Sequence, residues 1–365
     1  MTVVEPACGP IDADNLDYLI RDSHNLQLPY GDGIDYERLL QCLTIIFKSD
    51  KEGNEAYVGL GIHEKGKISA ETVAFANYAM YGAVYWHHTS RSGKAMLHRA
   101  IWESFKKDFG PTVLKKSRDL LIEFIFGPEM QEYGQIDAFA PKPTPISSQL
   151  SPNDRNMLGW LYKRTSGAGQ KLIDMLIERK FYKRFVVASQ QGSKGNTDLW
   201  DKFKDFAAHY VWATKTPQSV FSWGKIMKLE KQIEDKLFDS ITKHIGFREG
   251  LSKHEVSTLE KDIESLRKTK DILILVDIPI NRPGRNESLQ YLPEADRPEI
   301  IDKWNEPCTL EYSKVWRSLH HAFMESAAKL RVFVHPLLEG AIKRVFTKEK
   351  REGIVLWSLD KYLKE

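Results

Sequence analysis

DADNLDYLIRDSHNLQLPYG, residues Asp12 to Gly31, is the stretch from which the rest of the chain is read. Helical spacing places Asp14, Tyr18 and Asp22 at i, i+4 and i+8, on one slowly drifting face. Leu16, Leu19 and Ile20 point elsewhere and can enter a core. Asp17 and Arg21 form an acid-to-base pair at i, i+4 that supports the helix. Asp12 or Asp14 first of all suits a helix cap, while a polar stripe with a tyrosine in its middle suits a site as well as a surface. The turn that follows, LPYGDG, is built from Pro29, Gly31 and Gly33.

Composition bounds what this helix can belong to. At 365 residues the chain is long enough for two domains, and 42% hydrophobic with 28% charged residues is ordinary globular usage. A net charge of +3 does not mark a polyanion-binding protein. Cys8, Cys42 and Cys308 are far apart and odd in number, which fits a reducing cytoplasm and offers no disulfide framework. No apolar run approaches the ~20 residues of a spanning helix, so no membrane segment is expected. The opening MTVVEPACGPID lacks the basic and apolar regions of a signal peptide.

Downstream, IDYERLLQCL (Ile34–Leu43) reads as a short helix with Ile34, Leu39, Leu40 and Leu43 as its apolar positions. TIIFKS and AYVGLGIHE read as a β-hairpin turning at Lys51–Glu55. From Ser69 a helix of about 40 residues is expected, with Gly93 as its weak point. Phe75, Tyr78, Tyr81 or Gly82, and Tyr85 share one face of it, a stripe that usually means core. Its polar end carries His87, His88, Arg91 and Lys94, a cationic patch suited to phosphate. PKPTPISSQLSPNDR, residues 141–155, reads as a linker between a domain at 1–140 and another at 156–365. In that second part MLGWLYKR and KLIDMLIERKFYKR read as helices and FVVAS as a strand. Asp198 to Lys270 reads as charged helices with solvated faces. DILILVDIPI is the clearest strand, SLQYL its plausible partner, SKVWRSLHHAFMESAAK a helix, LRVFVHP a closing strand, and the last 29 residues helical.

Most chemistry-bearing motifs are absent: there is no GxxxxGK[ST], HExxH, CxxC or GxSxG. His87–His88 and His320–His321 are adjacent pairs whose side chains diverge by about 100° on a helix, so neither pair chelates one metal easily.

GPIDADNLDYLIRDSHNLQLPYG resembles the last signature of the HD-domain nucleotide phosphohydrolases. These include the bacterial deoxyguanosine triphosphate triphosphohydrolases and the animal sterile-alpha-motif HD protein that degrades deoxynucleoside triphosphates. FANYAMYGAVYWHHTSRSGKAML is similar to the family's next signature helix, and RKFYKRFVV with the two late strands is similar to its C-terminal region. The resemblance is fullest over residues 9–105. It implies the C-terminal part of an all-helical HD domain with a small hairpin insertion, then a mixed α/β domain for regulation or oligomerisation: mainly α, or α+β, overall.

Carried over residue by residue, the resemblance makes Asp14 the last metal ligand and so a catalytic residue. It makes Tyr18 and Asp22 contacts to the nucleotide sugar, and Tyr85 the tyrosine beside that sugar. Asn15 stands where the family has Lys or Arg for phosphate; Arg91 or Lys94 are the candidates to replace that charge, although neither is a motif match. The implied cofactor is a divalent metal (Mg, Mn, Fe or Zn), which would polarise phosphate oxygens and activate water. The family's other ligands are a histidine and a His-Asp pair lying upstream. The 13 residues before Asp14 hold no histidine, and no His-Asp dipeptide occurs anywhere in the chain. One carboxylate is too few ligands for a transition metal.

Three expectations follow. The chain is part of an HD-type, metal-dependent (deoxy)nucleoside triphosphate phosphohydrolase, acting on a deoxynucleoside triphosphate or related nucleotide and completed by a partner polypeptide in a hetero- or homo-oligomer. Alternatively, it is a non-catalytic regulatory relative that binds nucleotide or a partner. As a third reading, the lysines and tryptophans of the second half form a patch for single-stranded nucleic acid.

Overall fold

Asp14 lies in the first turn and His24 in the last turn of α1 (Ala13–Leu26), acid at the positive end of the helix dipole and base at the negative end. No glycine stops this helix. Gln27 takes a left-handed φ of 55°, while the Leu28 N–H bonds Ser23 O at 2.9 Å and the Gln27 N–H bonds His24 O at 3.1 Å. That is a Schellman ending with a glutamine where glycine is usual. The computed structural model describes residues 13–49, 56–109, 158–159, 161–163, 165–189, 194–208, 221–244, 252–278, 299–301, 307–309, 318–319 and 329–364. It is mainly α with small sheets, as expected from the sequence. The chain divides into two units, Met1–His87 with Pro279–Ala328, and His88–Ile278 with Lys329–Glu365. The expected linker at 141–155, the SLQYL strand and most of the helix expected at SKVWRSLHHAFMESAAK lie outside the described residues. No helix among the described residues is long and apolar enough to cross a membrane.

In the first unit, α1 is followed by α2 (Tyr36–Gln41), capped by Asp35 accepting from the Arg38 N–H at 2.9 Å. The hairpin strands β1 (Leu43–Ser49) and β2 (Ala56–His63) pair antiparallel, Leu43 opposite Ile62. Two three-residue strands from late in the chain, β5 (Glu299–Ile301) and β6 (Pro307–Thr309), extend the sheet in the order β1-β2-β5-β6, with β2 and β5 parallel. A turn at Glu64–Gly66 then opens α3 (Lys67–Met80). Leu19, Ile34, Leu39, Ile62, Ala70, Val73, Ala74, Ala76 and Met80 form the core. Fully burying a side chain such as Leu19 or Met80 contributes about 1.5–3 kcal/mol.

Gly31 shows how tightly the turn closes on α1. A β-carbon there would lie 2.5 Å from Leu19 O and 2.7 Å from the Ser23 β-carbon and Oγ. The first of those atoms is helix backbone and cannot rotate away. Gly31→Ala is therefore expected to destabilise the first unit by about 2 kcal/mol or more, read as a lowered urea midpoint. An unchanged midpoint would show that the turn yields freely.

The second unit begins with α4 (His88–Phe109) and continues with α5 (Ala168–Ile177), β3 (Lys183–Ser189), α6 (Lys194–Ala207), α7 (Phe221–His244) and α8 (Lys253–Lys268). β4 (Ile274–Asp277), β7 (Lys329–Val334), α9 (Pro336–Val345) and α10 (Lys348–Lys364) complete it. β7 is the central strand of an antiparallel sheet ordered β3-β7-β4. Met96 and Ala100 of α4, Leu172 and Ile173 of α5, and Leu275 and Phe333 of the sheet meet in one core.

Several expectations are corrected here. The long helix breaks at Trp86 and His87, after a π-helical turn at Tyr81–Tyr85, and not at Gly93, which sits inside α4 where a β-carbon would meet Phe181 at 3.3 Å. The buried face of α3 is the small-residue one, Ala70, Val73, Ala74 and Ala76, while Phe75 is 49% exposed. Small side chains let helices approach closely, which a row of aromatics prevents. Leu40, expected to be apolar and inward on α2, is 55% exposed. KLIDMLIERKFYKR is helical only to Ile177, because Arg179 takes a left-handed φ of 56° and the chain enters β3.

The charged helices also hide one acid. Glu230 of α7 is 6% exposed, accepts the Val276 N–H from the edge of β4 at 2.9 Å, and receives Arg99 of α4, which also bonds Glu103 at 2.9 Å. Burial outweighs the pull of Arg99 and of the Val276 N–H and raises the Glu230 pKa to about 7. A carboxyl raised in the fold binds more protons folded than unfolded, so it costs stability as pH rises from about 4.5 to about 7 and no further above that. Against Glu230→Gln, the wild-type chain is expected to lose ~3 kcal/mol of relative stability across that window, scored by urea denaturation. A parallel pH dependence in the two proteins would contradict the burial of a titrating carboxyl.

Candidate functional site

The stripe on α1 and the π-helical turn Tyr81–Tyr85 meet within the first unit. The turn closes where the Trp86 N–H bonds Tyr81 O at 2.8 Å, five residues back, widening the helix by one residue. Such insertions often mark functional segments. Tyr85 donates its hydroxyl to Asp22 Oδ2 at 2.8 Å across 63 residues of sequence. Its ring meets Tyr18 edge-on, centroids 5.7 Å apart, and Tyr81 at 5.1 Å. Tyr81 in turn meets Trp86 at 5.6 Å. Aromatic edges against faces hold such a cluster in one geometry. Beneath it, the buried Ser23 Oγ lies 3.3 Å from Met80 Sδ and fastens α1 to α3.

The electrostatics assign roles. Burial first, and then the hydrogen bond to Asp22, hold the Tyr85 phenol well above its ordinary pKa. Tyr85 is therefore a neutral donor throughout the neutral range and not a base. Asp22 is partly exposed; one oxygen accepts from Tyr85 and the other lies 3.7 Å from Arg21 Nε. A carboxylate of this kind accepts hydroxyl hydrogen bonds. Asp17 and Arg21 form the exposed surface pair expected from their spacing.

The remaining residues named from sequence are placed differently. Asp14 is exposed, two turns before Asp22 on α1. Among the described residues no three or more His, Cys, Asp or Glu side chains gather to hold a metal, and Asp14 supplies one carboxylate. Arg91 and Lys94 belong to the second unit. Lys94 is exposed on α4, whereas Arg91 is 8% exposed and clamps Asp277 of β4, Nε to Oδ2 at 2.8 Å and Nη2 to Oδ1 at 2.5 Å. Trp86 and Ser23 were not singled out from sequence. Trp86 had a signal, an aromatic beside Tyr85 in an already aromatic run; Ser23 had none, because a serine on a polar helix looks solvated.

These residues form one contact group on a mainly helical unit: a carboxylate braced by a phenol and framed by aromatic edges. Comparison with known proteins finds a family model that matches about a quarter of the chain. Residues 34–125 match the HD associated region, a match that includes Tyr85, Arg91 and Lys94 and starts beyond α1. An uncharacterized protein of Methanocaldococcus jannaschii is 39% identical over 93 residues, 26% of this chain and 19% of that protein. The uncharacterized protein YwfO of Bacillus subtilis is 33% identical over 99 residues, 27% of this chain and 20% of that protein. The matched segment thus spans about a fifth of the length of each relative. Among solved structures, a phosphohydrolase of Bacteroides thetaiotaomicron is similar with a TM-score of 0.44 and 18% identity, over 90% of this chain and 62% of that one.

Proposed function

We propose that the chain is part of an HD-type, metal-dependent deoxynucleoside triphosphate phosphohydrolase. In this reading Tyr18, Asp22 and Tyr85 form the wall that receives the sugar, and Asp14 is one ligand of a divalent metal. The histidine and His-Asp ligands come from a partner polypeptide in an oligomer. The observation that supports it best is the Tyr85–Asp22 hydrogen bond with Tyr18 edge-on to the same ring. The four side chains that the family resemblance names on α1 and at Tyr85 lie in one unit, and three of them form one contact group.

The test is triphosphate release from deoxynucleotides with a divalent metal, by the purified chain and by the chain mixed with a polypeptide bearing an HxxxHD-type segment. The expected result is none from the chain alone and release from the mixture. Robust release by the chain alone would overturn the shared-site reading.

A second reading, a nucleotide-binding regulatory relative, draws on the second unit. A cavity of about 440 Å³ there is lined by Lys183, Arg184, Lys343, Lys348 and Arg351, with Glu339 and Glu352. Arg351 donates through Nη1 to Phe185 O at 3.1 Å, and its buried Nε has no hydrogen-bond partner among the described residues. Calorimetric binding of a deoxynucleoside triphosphate that persists in Asp22→Ala and is lost on replacing Lys343 and Lys348 would favour this reading.

A further inference from the structure

The junction between β7 and α9 is made by one residue, His335. Its N–H donates to Leu273 O beside β4 at 2.9 Å, and its C=O accepts from the Leu338 N–H at 3.0 Å. Its side chain, 7% exposed with the residue, caps α9: Nδ1 accepts from the Leu337 N–H at 3.4 Å. Pro336 follows at the first helical position, where its fixed φ suits the helix. Histidine is an unusual cap. Ser, Thr, Asp and Asn dominate this position because their oxygens accept at any neutral pH. An imidazole accepts through Nδ1 only while that nitrogen is unprotonated.

We propose that His335 is a proton-sensitive clasp: neutral, it holds the first turn of α9 to the sheet, and protonated, it releases that turn. Protonation acts twice. It removes the acceptor from Nδ1, and it sets a positive charge at the positive end of the helix dipole.

The surroundings keep the resting ring neutral. Burial is the largest influence and lowers the His335 pKa; Asp271 pulls the other way, and Lys171 adds to the lowering. Asp271, just before β4, is already committed, ion-paired with Lys171 of α5 and accepting from Thr269 Oγ1 at 2.7 Å. Tyr182, ahead of β3, meets the ring edge-on at 5.4 Å and gives its hydroxyl to Ile272 O. From α8 the neighbouring wall is Leu266, and on α9 itself Glu339 pairs with Lys343 at 2.6 Å. His335 also lines a cavity of about 640 Å³, which gives protons access. Since Glu339 and Lys343 line the cationic cavity of about 440 Å³, the clasp would couple that cavity's shape to pH.

The sign is fixed by the lowered pKa. A histidine depressed in the fold stabilises the clasped form above its ordinary value of about 6.5, and that stability is lost as pH falls through the depressed value. The experiment is hydrogen exchange on the full chain at pH 7.5 and 5.0, corrected for intrinsic rates with an unfolded control. Protection at Leu337 and Leu338 is expected to fall about ten-fold or more in the wild-type chain. In His335→Asn, which keeps a cap but cannot titrate, it is expected to fall less than about two-fold. Equal falls in both proteins, or no fall in the wild type, would overturn the proposal. Independently, the NMR titration of the His335 ring should have its midpoint below 6.5 and coincide with the loss of protection; a midpoint at or above 6.5 would also overturn it.

Discussion

Asp277→Ala is expected to cost the second unit about 3–5 kcal/mol, because it strands the buried Arg91 guanidinium and takes the carboxylate from beside Arg331. Arg91 of α4 holds both carboxylate oxygens of Asp277, and Arg331, its cross-strand partner on β7, places Nη1 at 3.7 Å from Oδ2. The side chains are 10%, 5% and 4% exposed for Arg91, Asp277 and Arg331, so water cannot replace the lost carboxylate. Burial and the nearness of Arg91 already press the Arg331 pKa down to about 10, against the pull of Asp277. Without Asp277 the two like charges face each other undiluted. For a unit of this size the loss corresponds to a fall in Tm of roughly 10 °C. The triple variant Arg91→Met, Asp277→Met, Arg331→Met should recover much of it, since apolar replacement of a whole buried charge cluster is often neutral. A loss under 1 kcal/mol in the single variant would show that the cluster is hydrated.

If the chain works as proposed, Asp14→Ala will reduce triphosphate release from the mixture with the complementing polypeptide by at least about 10³-fold, beyond the 10–100-fold typical of outer-shell changes around a metal. The argument is one of ligand number. A divalent site bound by few side chains loses both affinity and geometry when one carboxylate goes, and Asp14 is an exposed side chain whose removal costs the helix little. Asp17→Ala is the control on the same helix. It breaks an exposed pair with Arg21, worth well under about 1 kcal/mol, and should leave release within about two-fold. Activity within three-fold of wild type in Asp14→Ala would remove the proposed metal role.

Patterns that act over a few residues were legible before the structure. β-branched and aromatic alternation marked the hairpin Leu43–His63, and a short apolar run marked the β4 and β7 strands. Three-residue strands such as Glu299–Ile301 carry no such pattern, and their parallel pairing with β2 is settled by neighbours more than two hundred residues away in sequence. Three helices end on left-handed Gln27, Arg179 and Lys270. Non-glycine residues there cost of order 1 kcal/mol each, and the surrounding packing supplies it. None of the three ends is marked by a glycine at the left-handed position, although Pro29 and Gly31 do mark the turn after α1. Glu230 looked like any solvated glutamate on a charged helix until the edge of β4 and Arg99 were seen to meet it.

The same division runs through the opening stretch, Asp12 to Gly31. By itself the sequence determined a helix with Asp14, Tyr18 and Asp22 along one face, because helical spacing is a local property of the backbone. Only the tertiary structure decided what those side chains face. The extra residue in the π turn swings Tyr85 onto Asp22, and Gly31 lets the following turn close against Leu19 and Ser23. Arg91, equally cationic in the sequence, is drawn instead into a buried pair with Asp277, 186 positions away. Charge is visible in a sequence; the partner that satisfies it is chosen by burial, where an unpaired charge is too costly to keep.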